Sequence, residues 1–419
     1  MTRYIDIHVL QSLPAANVNR GEDGLPKSVI YGGVNRARVS SQSWKRAMRL
    51  DFEKETTGSD WLKDTRTKML PQILIDKLVA DGMDEETAKF NVKGTIESCL
   101  GKTEEGKDGS LRTKALTMLS KAQIDKLADF CKTVKLEKDS KDNWAVRDKN
   151  EKKALHDLLK EKNSLALAVF GRMVASDASL NVEAASQVAH AFSINALVPE
   201  FDYFTAVDDD DRFDGAAMID DAGFNASVLY RYANLNVDEL KRNLDNDELV
   251  NKGVEHFIRS FVLSMPTGKQ NTFANRTLPS YVMITLRSDT PVSLASAFEK
   301  PVKPDYIENG IAKLEEELNK AELFVEKPEF IESLTELYNQ YTVKVKSLKP
   351  IKKFTEFQTI AISNTKNQLV YRQHLEDCQF EITIIGQDAD KLKYNLTHPV
   401  FQLYLGRKAC TLDRPIKFK

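Results

Sequence analysis

The block from residue 56 to residue 165 most constrains the fold, because its pattern differs from the sequence on either side. It is highly charged, and its apolar residues recur at spacings of three and four in QILIDKLVADG, ALTMLSKAQIDKLADFCK and EKKALHDLLKEK. This spacing predicts amphipathic helices. Strand-like sequence precedes the block at residues 4–10 and returns after it in SVLYRYANLNV and SYVMITLR. The sequence therefore predicts an α+β protein in which a helical insertion interrupts a sheet.

Further segments complete the predicted organisation. The stretch from about Val198 to Gly223 is acidic and contains Pro199 and Gly215, which favours a protruding hairpin or loop. We expect a helix around residues 238–263 and a charged helical segment over residues 306–341. Near residue 344 the basic segment KVKSLKPIKK, with its helix-breaking proline, predicts a junction. The segments EFQTIAIS and QFEITIIG beyond it predict strands.

Composition excludes several classes of protein. The chain has 419 residues, enough for two or three packed units, and its 42% apolar and 29% charged residues are typical of globular proteins. No run of about 18 apolar residues occurs, so we expect no membrane span. The four cysteines lie far apart and form no CxxC pair, which favours a reduced cytoplasm over disulfides or a zinc site. The opening MTRYIDIHVL has no secretory pattern, so we expect a cytoplasmic protein.

Charge is distributed unevenly along a chain whose net charge is only −2. The stretch from residue 20 to residue 49 carries two acids, Glu22 and Asp23, and seven basic residues: Arg20, Lys27, Arg36, Arg38, Lys45, Arg46 and Arg49. Residues 200–221 are acidic and include four consecutive aspartates at 208–211. Opposite poles on one chain permit head-to-tail self-association. Two unrelated solvated stretches are the alternative.

The segment RARVSSQSWKRAMR predicts a helix with a polar side and an apolar side. At about 100° per residue, one arc carries Gln42, Lys45, Arg46 and Arg49, while Trp44, Ala47 and Met48 lie opposite. Ser40 and Ser41 open the helix, and a helix N-terminus with exposed N–H groups accepts phosphate. Hydroxyls, amides and cations toward one surface would hold a polyanionic backbone without reading its sequence. The alternative is a solvated amphipathic helix.

Ordered motifs over residues 1–340 resemble the CasC family, the backbone subunit of type I-E CRISPR surveillance complexes (Cascade). Any one of these motifs is weakly specific, but their ordered combination is highly specific. The matching segments are IDIHVL, Asn19-Arg20, Gly32-Gly33, RVSSQSWKRAMR, Gly171-Arg172-Met173, DYFTAVDD at 202–209, Tyr230-Arg231-Tyr232-Ala233-Asn234 and Ala297-Phe298-Glu299-Lys300. One departure is Tyr203, which stands where relatives often carry a tryptophan.

The resemblance implies a right-hand architecture. Its palm is RRM-like (ferredoxin-like), its fingers are a helical insertion and its thumb is a protruding hairpin, and a β-rich tail follows. The implied boundaries are 1–55, 166–195 and 227–345 for the palm, 56–165 for the fingers, 196–226 for the thumb and 346–419 for the tail. Several copies would polymerise head to tail along one guide RNA (crRNA), beside other Cascade subunits. The guide bases would then pair with target DNA.

The resemblance also implies roles for individual residues. The guide phosphates would be held by Arg20, Lys27, Arg38, Ser40, Gln42, Lys45, Arg46 and Arg49. The apolar wedge at each kink of the RNA would be Met173, Phe204, Thr205 and Val207. The PTGKQ turn adds Lys269 as a further phosphate contact. Finger lysines would attract target DNA, foremost Lys135, Lys138 and Lys141. Core packing is the alternative for Met173 and Phe204, and a solvated loop is the alternative for the finger lysines.

The tail resembles part of a different Cascade subunit, the CasD family. Two segments carry this match, YRQHLED at 371–377 and YLGRKAC at 404–410, and Arg407 and Lys408 would be its candidate RNA contacts. Only the middle portion of a CasD-like protein is present. We therefore expect an appended β segment whose role the sequence leaves open.

No catalytic or metal-binding pattern accompanies these motifs. The six histidines are scattered without HxxxH or HExxH spacing, and GxSxG and P-loop patterns are absent from the sequence. We therefore expect a non-catalytic protein without a metal or cofactor. The alternatives are an RRM-like endoribonuclease that processes guide RNA and a generic RNA-binding protein.

Overall fold

The computed structural model describes residues 3–54, 60–138, 143–207, 209 and 216–333, and four short strands beyond them. The chain forms two compact units, Met1–Ile331 and Glu332–Lys419. The helices are α1 (Ser41–Phe52), α2 (Leu70–Ala80), α3 (Glu85–Cys99), α4 (Lys121–Thr133), α5 (Lys149–Lys160), α6 (Leu165–Phe170), α7 (Val237–Leu244), α8 (Asp247–Leu263), α9 (Gln270–Phe273) and α10 (Tyr306–Ala321). No described helix is long and apolar enough to span a bilayer.

An antiparallel sheet organises the first unit, with the strand order β15-β14-β1-β13-β11-β3-β2. The strands through β9 are β1 (Tyr4–Ala16), β2 (Ser28–Tyr31), β3 (Val34–Val39), β4 (Asp64–Thr67), β5 (Thr103–Glu105), β6 (Leu111–Thr113), β7 (Thr117–Ser120), β8 (Leu136–Lys138) and β9 (Trp144–Val146). The later strands are β10 (Ser186–Val188), β11 (Ala191–Ser193), β12 (Glu200–Val207), β13 (Ala216–Asn236), β14 (Tyr281–Arg287) and β15 (Phe330–Ser333). The mixed α+β prediction is confirmed.

Strand β1 is buried on both faces because the sheet is covered on both sides. Ile7 and Val9 pack into a cluster that includes residues of α1, α6 and α8. Leu10 points the other way, into a cluster that includes Phe298 and residues of α10. Side chains alternate across a strand, so β1 supplies residues to both clusters.

The predicted helix after Ser40 is confirmed as α1. Ser40 has extended backbone angles, φ −67° and ψ 145°, and the helix begins at the next residue. Trp44, Met48 and Phe52 recur every four residues and are buried in the core of the first unit. This apolar stripe fixes which way the polar side chains of α1 point.

The finger block has a hydrophobic core of its own. Helices α2–α5 contribute Leu74, Ile96, Leu127 and Leu155, which are buried together. The same block contains three two-stranded sheets, β4–β7, β5–β6 and β8–β9. The predicted helices are confirmed, and the lysine-rich segment between α4 and α5 forms the hairpin β8–β9.

The acidic stretch after residue 198 forms the predicted hairpin, here called the thumb hairpin (residues 200–224). Strand β12 pairs with the first part of β13, from Glu200↔Phe224 to Val207↔Ala216. Every residue of β12 is exposed. Asp208, Asp210 and Asp211 of the acidic run lie outside the described residues.

Two predictions beyond residue 305 need correction. The charged helix ends at Ala321 rather than continuing to residue 341, and β15 follows it. The basic junction near residue 344 includes a strand, β16 (Thr342–Ser347), because its β-branched residues alternate with lysines.

The second unit contains a four-stranded antiparallel sheet in the order β18-β17-β16-β19. Its other strands are β17 (Thr359–Ser363), β18 (Gln368–Val370) and β19 (Phe380–Ile384), which confirms the strands predicted in EFQTIAIS and QFEITIIG. The two CasD-like segments, at 371–377 and 404–410, lie outside the described residues.

Candidate nucleic-acid interface

The first turn of α1 lacks a side-chain cap, although the Ser43 N–H donates to the Ser40 carbonyl at 3.0 Å. Ser40 occupies the cap position, yet its hydroxyl makes no capping hydrogen bond. Its backbone N–H donates to the Asn19 side-chain oxygen at 2.9 Å, which ties the loop carrying Arg20 to the helix start. Uncapped first-turn N–H groups and the positive end of the helix dipole favour an anion here.

The cations of α1 are divided between two sides of the helix. Gln42 and Arg46 are exposed, as the helical wheel predicts. Lys45 lies over the Phe170 ring, with its Nζ atom 5.8 Å from the ring centroid, and burial lowers its pKa. Arg49 instead donates to Asp64 Oδ1 at 2.9 Å and lies 3.5 Å from Glu53. These two carboxylates balance the charge of Arg49. Fewer free cations therefore lie on the polar side of α1 than the helical wheel predicts.

Arg46 faces a cavity of about 330 Å³ between α1 and the segment 264–276, here called the 264–276 loop. Lys54 lines it from the end of α1, and Arg276 lines it from the loop. Lys269 lies between two lining residues of this loop. The structure thus brings Arg46 and the Lys269 turn together. The sequence did not predict Arg276 as a site residue, because only the folded chain brings it beside α1 and no local sequence pattern shows this.

The root of the thumb hairpin meets the same region. Gly268 lies so close to the backbone of Val18 that a β-carbon would collide with the Val18 carbonyl. The Asn17 side-chain amide donates to the Gly223 carbonyl at 2.8 Å, and the rings of Phe224 and Phe273 are 5.7 Å apart. Arg20, which is exposed, and Lys27, which is half-buried, therefore share a neighbourhood with α1, the 264–276 loop and the thumb root.

Two arginines of β3 have local partners. Arg36 is fully buried and donates to four backbone carbonyls, those of Ser193, Ile194, Phe298 and Glu299. Arg36 was counted among the seven basic residues of the 20–49 stretch, but its charge lies inside the protein and not on the basic surface, because those carbonyls need its donors. Arg38 is half-buried, donates to the Ser28 carbonyl and lies 3.1 Å from His190 Nδ1.

The proposed wedge residues of the thumb hairpin occupy both of its faces. Phe204 pairs with Asp220, whereas Thr205 pairs with Ile219. Because side chains alternate along a strand, Phe204 points away from Tyr203 and Thr205. Val207 lies beyond a register shift and is 76% exposed. One face of this ribbon therefore carries two exposed aromatic rings, Phe201 and Tyr203, and the other face carries Phe204.

Met173 projects from the segment that follows α6. Its side chain is 82% exposed, which excludes core packing there. Gly171 ends α6 with φ +76°, and a β-carbon at this position would approach the Val182 carbonyl oxygen to 2.7 Å. Only glycine tolerates both conditions without strain, so the turn that presents Met173 depends on it.

The finger lysines differ in their surroundings. Lys135 is exposed, and Lys138 Nζ lies 5.6 Å from the centroid of the Trp144 ring. Lys132 forms ion pairs of 2.9 Å with both Asp81 and Asp129. Lys141 lies outside the described residues. Within the part of the chain that the structure describes, no group of three or more His, Cys, Asp or Glu residues is arranged to hold a metal.

Comparison with protein families decides the assignment. The model of the CT1975-like protein family matches residues 5–358. The chain belongs to the CT1975-like family. No curated protein matches it.

Solved structures resemble this CT1975-like protein along most of their length. A chain of "CRISPR RNA-guided surveillance complex, pre-nicking" is 32% identical with a TM-score of 0.68, and the match covers 76% of this chain and 89% of that chain. A chain of "CRISPR RNA-guided surveillance complex" is 27% identical with a TM-score of 0.61, covering 79% and 91%. The fold of this CT1975-like protein is therefore similar to that of chains in CRISPR RNA-guided surveillance complexes.

Proposed function

We propose that this CT1975-like protein is a non-catalytic, guide-RNA-binding backbone subunit of a Cascade-type CRISPR complex, of type I-E and equivalent to CasC. The observation that carries the proposal is the convergence of three segments. The Arg20 loop, the start of α1 and the 264–276 loop meet at the root of an exposed, aromatic-bearing hairpin. Cations beside an aromatic ribbon suit a single strand, because phosphates need charge and unstacked bases need flat apolar partners.

The phosphate contacts divide between charge and backbone. Arg20, Arg46, Lys269 and Arg276 supply charge, while the uncapped first turn of α1 supplies N–H donors. Such contacts do not depend on base identity, so any guide sequence is accommodated. Sequence recognition then falls to pairing between the guide and the target DNA.

The thumb hairpin would interrupt the stacking of the guide. Tyr203 on one face and Phe204 on the other can each cover a base plane, with Met173 approaching from the finger side. The hairpin is also acidic, with Asp202, Asp220 and Asp221 among its residues. Contact with the basic α1 region of a second copy would produce a head-to-tail array on one RNA.

The remaining assignments rest on the same likeness. The central sheet would be the RRM-like palm, and α2–α5 would be the fingers, with Lys135 and Lys138 facing target DNA. The second unit would append a CasD-like β segment, and other Cascade subunits would flank the array. The protein would need no metal or cofactor and would leave guide processing to another subunit.

The test is co-expression with a defined guide, followed by native mass spectrometry of the purified complex. We expect several copies per guide, and no cleavage of guide precursor by the purified chain. Arg46→Gln with Arg276→Gln should release RNA and lower the salt dependence of binding, by about 0.7 in slope per lost phosphate contact. The matched control, Lys252→Gln with Lys320→Gln on α8 and α10, should retain RNA. One copy per RNA, or cleavage by the chain alone, would refute the proposal.

A further inference from the structure

The cavity between α1 and the 264–276 loop offers more than positive charge. Four of its side chains are neutral groups that both donate and accept hydrogen bonds: Ser43, Ser264, Thr267 and Gln270. No carboxylate is among the described residues that line it. A phosphate diester only accepts hydrogen bonds, so these neutral groups suit a ligand that also carries a hydroxyl.

One of these hydroxyls, that of Ser264, is buried without a hydrogen-bond partner among the described residues. Ser264 follows the last residue of α8 and lines the cavity, and only 4% of its surface is exposed. A buried hydroxyl that makes no hydrogen bond is destabilising. Rotation about its one side-chain torsion, χ1, followed by pairing with a ligand hydroxyl in the cavity, would remove this destabilisation.

Two arginines bring free positive charge to the same cavity. Arg46 lies on α1 and Arg276 lies on the 264–276 loop, and both are exposed. Neither forms an ion pair with any residue that the structure describes, whereas Lys54, the third cation of the cavity, lies 2.8 Å from Asp51 Oδ1. A phosphate held by the two arginines would therefore bring the sugar bonded to it into the cavity.

We propose that this cavity takes one ribose of the guide RNA and that its hydroxyl side chains recognise the 2′-hydroxyl. The adjacent phosphate would lie against Arg46 and Arg276, and the 2′-hydroxyl would pair with Ser264 and Thr267. A 2′-hydroxyl both donates and accepts hydrogen bonds, and it is the group by which a protein distinguishes RNA from DNA at a given site. This inference rests on the proposed function and deepens it, because it gives selectivity for RNA to the surface that holds the guide.

The lining suits a sugar better than a base. No aromatic ring is among the described lining residues, and the apolar ones are Ala47, Leu50, Met265 and Pro266. Unpaired bases are held by stacking on aromatic rings. The volume of about 330 Å³ lies at the lower end of the range for small-ligand sites, about 300–1,000 Å³. A target strand of DNA has no 2′-hydroxyl, so the guide is the assigned occupant.

The experiment uses the full chain assembled on guides in which one nucleotide at a time carries 2′-fluoro in place of the 2′-hydroxyl. The fluoro sugar keeps the ring pucker of RNA but cannot donate a hydrogen bond. We expect guide affinity to fall by up to about tenfold at one position for each bound copy, because a neutral hydrogen bond contributes about this much at most. Affinity should be unchanged when the other positions are modified.

A double variant connects this sensitivity to the cavity. Ser264→Ala with Thr267→Val removes both hydroxyls and should lower affinity for the unmodified guide by about the same factor. The sensitive positions should then no longer respond to 2′-fluoro, because the substitutions and the modification remove the same interaction. The salt dependence of binding should stay as in wild type, because no charge is removed. The matched control, Thr272→Val, changes an exposed residue of the same loop that is not among the described lining residues, and it should keep the wild-type pattern.

The outcomes separate the two proposals. If several copies retain each guide, but no position is sensitive or the sensitive positions persist in the double variant, the ribose assignment is refuted while the proposed function stands. Thermal unfolding checks that the double variant folds, and Thr267→Val alone, at an exposed position, gives the same comparison if it does not. If wild-type protein retains no RNA, both proposals fail.

Discussion

Asp6 and His8, two titratable side chains of β1, lie buried on the same face of the central sheet. Asp6 accepts hydrogen bonds from the Tyr232 hydroxyl at 2.7 Å and the Val292 N–H at 3.1 Å. His8 Nδ1 lies 2.9 Å from the Tyr230 hydroxyl, which itself accepts the Leu294 N–H. Burial raises the pKa of Asp6 to about 6 and lowers the pKa of His8 to about 3. Both groups are therefore more stable neutral in the folded protein.

These two shifts give stability opposite dependences on pH. The folded state holds the Asp6 proton more tightly than the unfolded chain, so this contribution is fully present below pH about 4 and is lost as pH rises through about 6. His8 contributes above pH about 6.5, and its contribution is lost as pH falls toward 3. The contributions offset each other between pH 4 and 6.

The first prediction isolates the Asp6 contribution with Asp6→Asn. Denaturant unfolding from pH 4 to pH 6.5 should show wild type losing about 2 kcal/mol relative to the variant, out of about 3 kcal/mol for the whole shift at about 1.4 kcal/mol per pKa unit. A baseline loss of about 1–2 kcal/mol is expected for the variant, because the amide cannot accept both hydrogen bonds. A pH-independent difference between the two proteins would contradict the shift. His8→Phe is the counterpart, and its difference from wild type should have the opposite slope.

A second prediction separates structural from RNA-binding arginines. Arg36→Met should destabilise folding by several kcal/mol, since four buried carbonyls would lose their donors at about 1–3 kcal/mol for each unsatisfied group. The exposed Arg20 is the matched position, and Arg20→Met should leave unfolding unchanged but weaken RNA binding. Chemical denaturation and RNA titration of the folded protein check both variants. Equal effects of the two substitutions on RNA affinity would contradict this division.

At the scale of the element, α1 shows what the sequence could and could not predict. The helical wheel correctly placed Trp44 and Met48 on the buried side, but Ala47, also expected there, is only half-buried, and Phe52, expected near the boundary of the two faces, is buried. The helical wheel gave no information on the partner of Arg49. That partner is Asp64 of β4, a strand that lies beside α1 only in the folded chain. Periodicity describes one element at a time, whereas ion pairs join elements. For the same reason the sequence did not predict Arg276 as a site residue.

A third prediction follows from the two sides of α1. Arg49→Gln should cost about 2 kcal/mol of stability, because it leaves the buried Asp64 carboxylate without its cation. Arg46→Gln should change stability by less than about 0.5 kcal/mol, because Arg46 is exposed. Thermal unfolding of both variants, with RNA retention measured in parallel, gives the comparison. The proposed roles would be wrong if Arg46→Gln were the more destabilising.

The thumb hairpin supports a fourth prediction, because its two faces act separately. Tyr203→Ala and Phe204→Ala should each weaken guide binding by about 1–3 kcal/mol, the range for one stacked base. Since the rings lie on opposite faces, the double variant should show the sum of the two losses. Neither change should cost more than about 1 kcal/mol of stability on an exposed ribbon. Ile30→Ala, an exposed apolar residue of β2, is the control for RNA titration. Strong non-additivity would place both rings on one base.

At the scale of the whole molecule, a single strand joins the central sheet to the thumb hairpin. The last part of β13 pairs with β1 from Tyr4↔Asn236 to Ala16↔Asn225, and its first part pairs with β12. Asn17 then links the chain after β1 to Gly223 in the thumb. The hairpin root is therefore anchored in the sheet, so the aromatic ribbon is presented at a fixed place beside the start of α1. No local pattern in the sequence predicts that β13 belongs both to the central sheet and to the thumb hairpin.

The last prediction concerns the second unit, and the variant ends at residue 349. The three buried apolar clusters draw their members from residues 7–318, and β15 is retained, so the deletion removes no member of these clusters. We expect the first unit to keep its unfolding temperature and the complex to keep its number of copies per guide, as judged by calorimetry and native mass spectrometry. A chain ending at residue 329 is the matched control. It also removes β15 beside β14, and its unfolding temperature should fall. If the 349-residue chain keeps its fold but fewer copies bind each guide, the deleted residues take part in assembly. The first unit would then not be sufficient for assembly by itself.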